Sequence, residues 1–180
     1  SLIKRSKSKC KKTLVSIFVN PSQFNNKNDY TSYPTKLSTD IKILKNLKVD
    51  YLVIPKVSEI YKNKKKMKIP ISKKDKILCA KYRPGHFEGV LAVINQFLTN
   101  IKPKYMFLGE KDYQQIHLIK KFIKKKFITK IITCKTIRLD NSLAYSSRNF
   151  LLSKVDIKNA SIISNMLNKF HLKVKKNYKN

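Results

Sequence analysis

The sequence predicts an α/β protein with a Rossmann-like parallel sheet and flanking helices. Three observations predict this class: short apolar, β-branched runs alternate with stretches of helical period, turn residues bound them, and no internal repeat is present. Strands that alternate with helices are typical of βαβ units, which build parallel, doubly wound sheets. At 180 residues the chain has room for one ordinary domain and the start of a second.

The strands are predicted from continuous apolar runs, which indicate strands buried on both faces. The first run, TLVSIFV, ends at Asn20-Pro21, and the second, YLVI, ends at Pro55. The predicted strands are Thr13–Val19, Tyr51–Ile54, Tyr105–Leu108 and Lys130–Ile137.

The helices are predicted from apolar residues that recur every three or four positions. Phe87–Leu98 has the clearest period, with apolar residues at 87, 90, 91, 94, 97 and 98. The other predicted helices are Ser38–Leu47, Tyr113–Phe127 and Val155–Phe170. Lys62–Lys76 is basic and broken by Pro70, which predicts a loop or an irregular excursion.

The net charge of +31 raises the question of nucleic-acid binding. The cations are nearly all lysines, however, and the arginines are only Arg5, Arg83, Arg138 and Arg148. Arginine is the residue favoured for base and phosphate recognition, so a surface of lysines is poorly suited to specific nucleic-acid recognition. Lys, Asn and Ile have A/T-rich codons, and their abundance is better explained by compositional drift in an AT-rich genome. Weak, non-specific polyanion binding is expected in either case.

Cysteine usage and the lack of apolar segments bear on location. Cys10, Cys79 and Cys134 form neither a CxxC pair nor a zinc spacing, which predicts reduced thiols. No run of about 18 apolar residues is present, so no membrane span is expected. The charged N-terminus is not followed by the apolar segment of a secretory signal. We therefore expect a cytoplasmic protein, and the first residue, Ser1, suggests that the true start lies upstream.

Polar residues follow the predicted strands or begin the helices, at the sheet edge where such folds bind ligands. The four segments are Asn20–Phe24, Arg83–Phe87, Gly109–Gln115 and Ala144–Asn149. Each has a plain structural interpretation: a turn, a helix entry, a strand-to-helix turn and a polar loop. Together they favour a site for an anionic substrate.

The chemistry of these segments suits hydroxyl, carboxylate and phosphate groups. Asn20 and Gln23 supply neutral donors and acceptors. Arg83 and His86 lie at a helix N-terminus, which favours anions, and for His86 phosphate contact is preferred to a general-base role. Lys111 opposes the helix dipole, so a phosphate ligand explains it better than helix stability does. Ser146, Ser147 and Arg148 form a compact set of phosphate donors.

Six segments, in this order, resemble the pantothenate synthetase family: NPSQF, YPTKL, DYLVIPKVSEIY, RPGHFEGV, GEKDYQQ and SSRN. Each alone is unspecific, but the combination is highly specific and extends over nearly the whole chain. The resemblance implies a nucleotidyltransferase-type fold and a homodimer. From the composition, neither a specific nucleic acid nor a membrane is expected as a partner. The resemblance also implies Mg²⁺, ATP, pantoate and β-alanine, joined in two steps through pantoyl adenylate. Residues 1–149 would bind ATP and pantoate, and 150–180 would begin a small C-terminal α+β lid domain.

The resemblance also implies roles for individual residues. Gln23 and Gln115 would hold pantoate, and Gln23 would also lie near the β-alanine site. The implied ATP contacts are Gly109, Glu110, Lys111, Asp112, Ile137, Tyr145, Ser146, Ser147 and Arg148. Lys111 and Arg148 would support the charge of the transition state. The remaining pocket positions are Asn20, Tyr33, Arg83 and His86, with Asp40 near the metal.

Three departures from the family pattern bear on activity. The upstream strand and turn, whose two histidines contact ATP, have no counterpart, so no catalytic histidine is expected in this chain. Leu78-Cys79-Ala80 stands where the family usually has an acidic residue. The residues after Arg148 are too few for a complete lid. We therefore expect residues 1–180 alone to ligate poorly or not at all.

Other functions remain open at this point. The first alternative is a related nucleotidyltransferase of the same superfamily; the pantoate-specific residues Gln23 and Gln115 argue against it, and a panel of substrates would decide. A basic nucleic-acid-binding module would bind DNA or RNA without dependence on ATP. A decayed, non-catalytic remnant would fold and bind without turnover.

Overall fold

The computed structural model describes residues 1–24, 26–61 and 69–178. They form two compact units, Ser1–Lys135 and Thr136–Asn180. The predicted domain boundary after residue 149 stays a prediction.

The first unit contains four short strands arranged as two parallel pairs. Strand β1 (Leu14–Ser16) pairs with β2 (Tyr51–Val53), and β3 (Tyr105–Gly109) pairs with β4 (Lys130–Cys134). The chain crosses between paired strands through α3 (Leu37–Asn46) and α7 (Tyr113–Lys124) respectively. The predicted strands and their parallel direction are confirmed, although no hydrogen-bonded ladder joins the two pairs within the described residues.

Three predicted strands are longer than the observed ones, and the smallest difference is in β2, which ends at Val53 rather than at Ile54. Strand β1 covers three residues rather than Thr13–Val19, because its partner β2 is followed within two residues by Pro55, which has no N–H to donate. Strand β4 ends at Cys134. Ile137 therefore lies outside the sheet, contrary to the predicted strand Lys130–Ile137.

The helices of the first unit, apart from the two crossover helices, are α1 (Leu2–Lys9), α2 (Lys27–Thr31), α4 (Val57–Ile60), α5 (Cys79–Tyr82) and α6 (His86–Ile101). Helices α3, α6 and α7 match the predicted segments. Helix α1 has no predicted counterpart because LIKRSKSK has little apolar period. It is capped by the Ser1 hydroxyl, which accepts from the Lys4 N–H, and is anchored by the buried hydroxyl pair of Ser6 and Thr13, 3.0 Å apart.

The predicted irregular segment Lys62–Lys76 lies partly outside the described residues, at 62–68. Its described part contains a 3₁₀ turn at Lys73–Asp75. Asp75 accepts a hydrogen bond from Lys121 Nζ at 2.7 Å, which ties this turn to α7. The pKa of the Asp75 carboxyl is lowered, mainly by Lys121 and then by the Ser72 hydroxyl.

Helix α6 is the centre of the core. Nine of its residues are buried, and residues of α6 belong to all three hydrophobic clusters of the described chain. Val90, Leu91 and Leu98 pack with Ile119 and Ile123 of α7. Two smaller clusters use Val93 with Ile60 and Tyr61, and Phe87 with Ala80 and Leu118. Because α6 packs against several elements, most of its residues are buried or half-buried.

Two helix ends have a left-handed backbone conformation at a residue other than glycine. Lys102, at the C-terminus of α6, has φ 48°, and Lys48, just after α3, has φ 50°. Glycine is the usual residue at such left-handed positions because it has no Cβ to collide with the backbone. With only three glycines in the chain, lysines occupy these helix ends at a cost in stability.

The second unit consists of a polar loop and α8 (Lys154–Asn177). Ser153 caps α8 by accepting from the Asp156 N–H, and Asp156 in turn accepts from the Ser153 N–H. Helix α8 confirms the predicted helix Val155–Phe170 and extends beyond it. In the described part of the chain, no helix combines the length and the apolar character that a membrane crossing needs.

Candidate functional site

The segment after β1 forms a buttressed turn. Asn20 precedes the 3₁₀ turn Pro21–Gln23 and its side chain accepts from the Ser22 N–H at 3.1 Å. Asn20 is only 3% exposed, and its Nδ2 donates to the Gly89 carbonyl at 3.3 Å. The amide of Asn20 is therefore engaged beneath the turn rather than displayed on its surface, while the side chain of Gln23 is half-buried.

The turn is attached to the start of α6. Arg83 Nη2 donates to the Gln23 carbonyl at 3.3 Å, and His86 Nδ1 lies 2.7 Å from the same oxygen. The Gln23 N–H donates to the Asn20 carbonyl at 3.2 Å. Both backbone groups of Gln23 are thereby held, and two of the four predicted segments are brought together.

The RPGHF segment is shaped by Gly85. Its φ of 80° lies in the left-handed region, where glycine is favoured, and α6 begins at the next residue. This turn directs the His86 ring into the interior, where it is 6% exposed and packs edge-on against Phe87. The predicted helix entry is thus confirmed.

His86 is neutral at physiological pH. Burial lowers the pKa of His86, and Arg83 lowers it further, whereas the hydrogen bond to the Gln23 carbonyl raises it. A carbonyl oxygen only accepts, so Nδ1 carries the proton and Nε2 is left as an acceptor. The positive charge that this segment offers to an anion therefore comes from Arg83.

Tyr33 is attached to the same region through aromatic contacts. Its ring packs edge-on against Phe24 at a centroid distance of 5.6 Å, and Tyr30 contacts Phe24 from 5.3 Å. Phe24 directly follows the turn. The structure therefore places the predicted pocket position Tyr33 beside the NPSQF segment.

The GEKD segment forms the end of β3 and the turn before α7. Gly109 is the last residue of β3, and Glu110–Asp112 is a 3₁₀ turn whose residues are exposed. Gly109 has φ −82° and ψ 134°, ordinary extended values. The strand-to-helix turn therefore does not require the conformational freedom of glycine at this position. A Cβ at Gly109 would meet nothing within 4 Å, so the space above the strand end is open in the described residues.

Helix α7 carries two glutamines with different surroundings. Gln114 Nε2 donates to the Ile77 carbonyl at 2.7 Å, which fixes the segment before α5. Gln115, the predicted pantoate contact, is half-buried one helical turn beyond Lys111.

Asp40 is exposed in the first turn of α3. Across the described ranges, no group of three His, Cys, Asp or Glu side chains is placed to hold a metal ion. A single carboxylate suits Mg²⁺ only when substrate phosphates and water complete the octahedron. The role of Asp40 beside a metal ion stays a prediction.

In the second unit, the predicted nucleotide contacts form a local loop. Tyr145 N–H donates to the Ile137 carbonyl at 2.9 Å, and an antiparallel bridge joins Arg138 to Ala144. Ser146 caps the 3₁₀ turn Ser147–Leu151 by accepting from the Arg148 N–H at 3.3 Å. Ile137 and Tyr145 are 55% and 62% exposed, which leaves both side chains accessible in this unit.

Sequence reasoning missed two residues that shape the turn. Tyr61 hydrogen-bonds to Asn20 and Ser22, 41 and 39 positions away, and no sequence pattern indicates that link. Gly89 contacts Ser22 so closely that any side chain there would collide with it. A glycine inside a strongly helical pattern is a recognisable sign of such a backbone approach.

Comparisons with known proteins identify the family of this chain. The family model described as Pantoate-beta-alanine ligase matches residues 1–180. Pantothenate synthetase from Francisella tularensis subsp. novicida is 48% identical over 169 residues, which are 93% of this chain and 65% of the relative. The Francisella philomiragia enzyme is 48% identical over 168 residues, with coverage of 92% and 64%. The chain therefore spans slightly less than two thirds of these curated relatives.

Solved structures show the same similarity. The Francisella tularensis pantoate-beta-alanine ligase, complexed with beta-gamma ATP and beta-alanine, matches with a TM-score of 0.88 at 48% identity. The match covers 93% of this chain and 65% of that one. Pantothenate synthetase from Thermus thermophilus matches with a TM-score of 0.87 at 31% identity, covering 91% and 60%.

Proposed function

Because the chain belongs to the pantoate-beta-alanine ligase family, we propose that its protein condenses (R)-pantoate with β-alanine at the expense of ATP. The product is pantothenate, a coenzyme A precursor, and the intermediate is pantoyl adenylate. The observation that carries the proposal is the attachment of the Gln23 turn to Arg83 and His86 at the start of α6. It supports a rigid polar surface for a small hydroxy acid.

The first step joins pantoate to the nucleotide. A carboxylate oxygen of pantoate attacks the α-phosphorus of ATP, the bond to the β-phosphate oxygen breaks, and pyrophosphate leaves. Gln23 and Gln115 would orient pantoate through neutral hydrogen bonds, which hold hydroxyl and carboxylate groups without excess charge. Lys111 and Arg148 would each contact phosphate oxygens and disperse the negative charge that develops.

The second step forms the amide. The amine of β-alanine attacks the acyl carbon of pantoyl adenylate, AMP leaves, and the amine loses a proton to solvent or a nearby base. Gln23 would also orient β-alanine. Glu110, Asp112, Ile137 and Tyr145 would complete the contacts with the nucleotide, and the open space above Gly109 supports a ligand close to the β3 end.

Mg²⁺ is part of the proposal. When bound, it would neutralise phosphate charge and fix the triphosphate geometry. Asp40 would be the residue of this chain that holds it. A homodimer and a cytoplasmic location are also proposed; the three free thiols, Cys10, Cys79 and Cys134, support a reducing compartment.

Substrate binding tests the proposal. Titration calorimetry with residues 1–180 is expected to show separate binding of pantoate and of Mg-ATP. Gln23→Ala should weaken pantoate binding by about tenfold or more, as expected for lost hydrogen bonds to a charged ligand, and leave ATP binding unchanged. Lys111→Ala should do the reverse.

Matched controls are Gln96→Ala on α6 and Lys120→Ala on α7, which lie outside the proposed contacts. Absence of pantoate binding by the parent chain would overturn the proposal. The reaction itself is tested by AMP release in the complete gene product, which should require both pantoate and β-alanine. AMP release at full rate without pantoate would contradict the proposed chemistry.

A further inference from the structure

The hydroxyl of Tyr61 reaches the turn that carries Gln23. Tyr61 follows α4, is 7% exposed and packs with Ile60 and Val93. Its hydroxyl lies 2.5 Å from Asn20 Oδ1 and 2.6 Å from Ser22 Oγ. The proposed reaction does not use this side chain, and both hydrogen-bond partners of its buried hydroxyl belong to the turn.

The hydrogen-bond pattern defines one orientation of the Asn20 amide. Asn20 Oδ1 accepts from the Ser22 N–H at 3.1 Å and also faces the hydroxyls of Ser22 and Tyr61. Each hydroxyl has one proton to donate. One of the two hydroxyls can therefore donate to Asn20 Oδ1 while the second donates to the oxygen of the first. Burial raises the pKa of Tyr61, so the phenol remains protonated and able to donate.

Helix α6 confines the turn from another direction. A Cβ at Gly89 would collide with Ser22 Oγ and lie 2.9 Å from the Ser22 carbonyl oxygen. Asn20 Nδ2 donates to the Gly89 carbonyl. The turn is therefore held by side-chain hydrogen bonds from Tyr61 and by direct contact with the backbone of α6.

Hydrogen bonds connect this part of the turn to Gln23. Asn20 holds Ser22 through its side chain and Gln23 through its carbonyl, and His86 and Arg83 hold the Gln23 carbonyl. A small displacement of Asn20 would therefore shift the Gln23 side chain, and displacement of a ligand-orienting group by even about 1 Å weakens binding markedly.

We propose that Tyr61 is a positioning residue for pantoate: its hydroxyl orients Asn20 and Ser22 and so places Gln23 against the substrate. The proposal rests on the pantoate site of the proposed function. It concerns the hydroxyl alone, because a phenylalanine ring would fill the same apolar space between Ile60 and Val93. A purely structural role would change folding stability without changing the relative affinity for the two substrates.

The test compares Tyr61→Phe with the parent chain, residues 1–180, by titration with pantoate and separately with Mg-ATP. The pantoate dissociation constant should rise by about fivefold to tenfold, the range expected for loss of one buried hydrogen bond. The ATP dissociation constant should stay within about twofold, a change smaller than the loss of one such bond produces. Tyr51→Phe, which removes the hydroxyl of a tyrosine that is 56% exposed, should change neither value.

Ser22→Ala provides a second variant that breaks the same contact from the turn, should Tyr61→Phe fold poorly. It should weaken pantoate binding to a similar extent, and the double variant should bind pantoate about as well as either single variant. The positioning role would be overturned if the pantoate affinity were unchanged in Tyr61→Phe. It would also be overturned if the loss of affinity in the double variant equalled the product of the losses in the two single variants. Either result would leave the proposed function intact. Absence of pantoate binding in the parent chain would overturn both.

Discussion

The imidazole Nδ1 of His86 lies 2.7 Å from the carbonyl oxygen of Gln23, a residue 63 positions earlier in the chain. This hydrogen bond joins the turn after β1 to the first residue of α6. Burial lowers the pKa of His86, because a protonated ring would place a positive charge in the interior of the protein. Stability near this contact is therefore sensitive to pH.

Acidification should destabilise the chain through His86. The unfolded histidine takes up a proton as the pH falls below about 6.5, whereas the folded one resists it. The His86 contribution is present above that pH and is lost as the pH falls towards the lower folded pKa. In urea unfolding at about pH 7.5 and 5.5, two values that bracket the unfolded pKa, His86→Gln should show a smaller pH dependence than the parent.

His171→Gln, which replaces an exposed histidine of α8, is the control and should retain the parent dependence. Carboxyls with lowered pKa values, Asp50, Asp75 and Asp156, act in a separate window. Their contribution is lost only as the pH falls below about 4. An identical pH dependence in His86→Gln and the parent would contradict the His86 assignment.

Gly89→Ala should destabilise the first unit. The added Cβ would collide with Ser22 and displace the turn, a type of overpacking that costs about 1–3 kcal/mol. Alanine's better helix propensity offsets about 1 kcal/mol of this. Chemical denaturation should show a net loss, accompanied by weaker pantoate binding; a net gain in stability would show that the turn can move freely.

Gly109→Ala, unlike Gly89→Ala, should not destabilise the protein. Its backbone is ordinary and the Cβ position is open, so the free energy of unfolding should stay the same or rise by about 0.4–1 kcal/mol because the unfolded chain loses freedom. ATP binding should weaken if a nucleotide approaches the end of β3. Calorimetry and denaturation on the same sample separate the two effects, and unchanged ATP affinity would argue against that approach.

Lys102→Gly should stabilise the protein. Lys102 has φ 48° at the C-terminus of α6, and relief of the left-handed conformation is worth about 1–2 kcal/mol. Lys120→Gly, in the interior of α7, should instead cost about 1 kcal/mol. Denaturant midpoints of the two variants should therefore shift in opposite directions, and a loss of stability in both would contradict the strain at Lys102.

Binding to DNA should be weak, insensitive to sequence and strongly dependent on salt. The net charge is +31, and charge neutralisation of phosphates gives affinities that fall by on the order of a hundredfold or more between about 50 and 200 mM salt. Fluorescence anisotropy with two unrelated duplexes measures this. Salt-resistant preference for one duplex would instead favour a nucleic-acid-binding function.

Local patterns in the sequence predict the secondary structure well. The period in Phe87–Leu98 corresponds to α6, and the four apolar runs correspond to four parallel strands. The Rossmann-like, nucleotidyltransferase-type fold and the family resemblance, carried by segments such as RPGHFEGV and GEKDYQQ, are confirmed by the comparisons. Strand ends are less accurate, since β4 stops at Cys134 and excludes Ile137, because ladder length depends on the partner strand.

The individual roles of the site residues remain predictions, although the structure changes how several are understood. Asn20 is a predicted pocket residue, and its amide is engaged within the turn. His86 is predicted to contact phosphate, and its neutral ring supports Gln23 instead of supplying charge. Lys111 is exposed at the end of β3, as its predicted phosphate role requires.

By itself the sequence determined the helices α3, α6, α7 and α8, the four strands and the family, because these depend on neighbouring residues and on short motifs that can be read along the chain. Helices α1, α2, α4 and α5 lack a clear apolar period and were found only in the structure. Only the tertiary structure decided what holds Gln23 in place. Tyr61, Gly89 and His86 lie far from the NPSQF segment in sequence and reach it through packing and hydrogen bonds. Such contacts depend on how α6 and α4 are placed in three dimensions, and no local period or spacing encodes that placement.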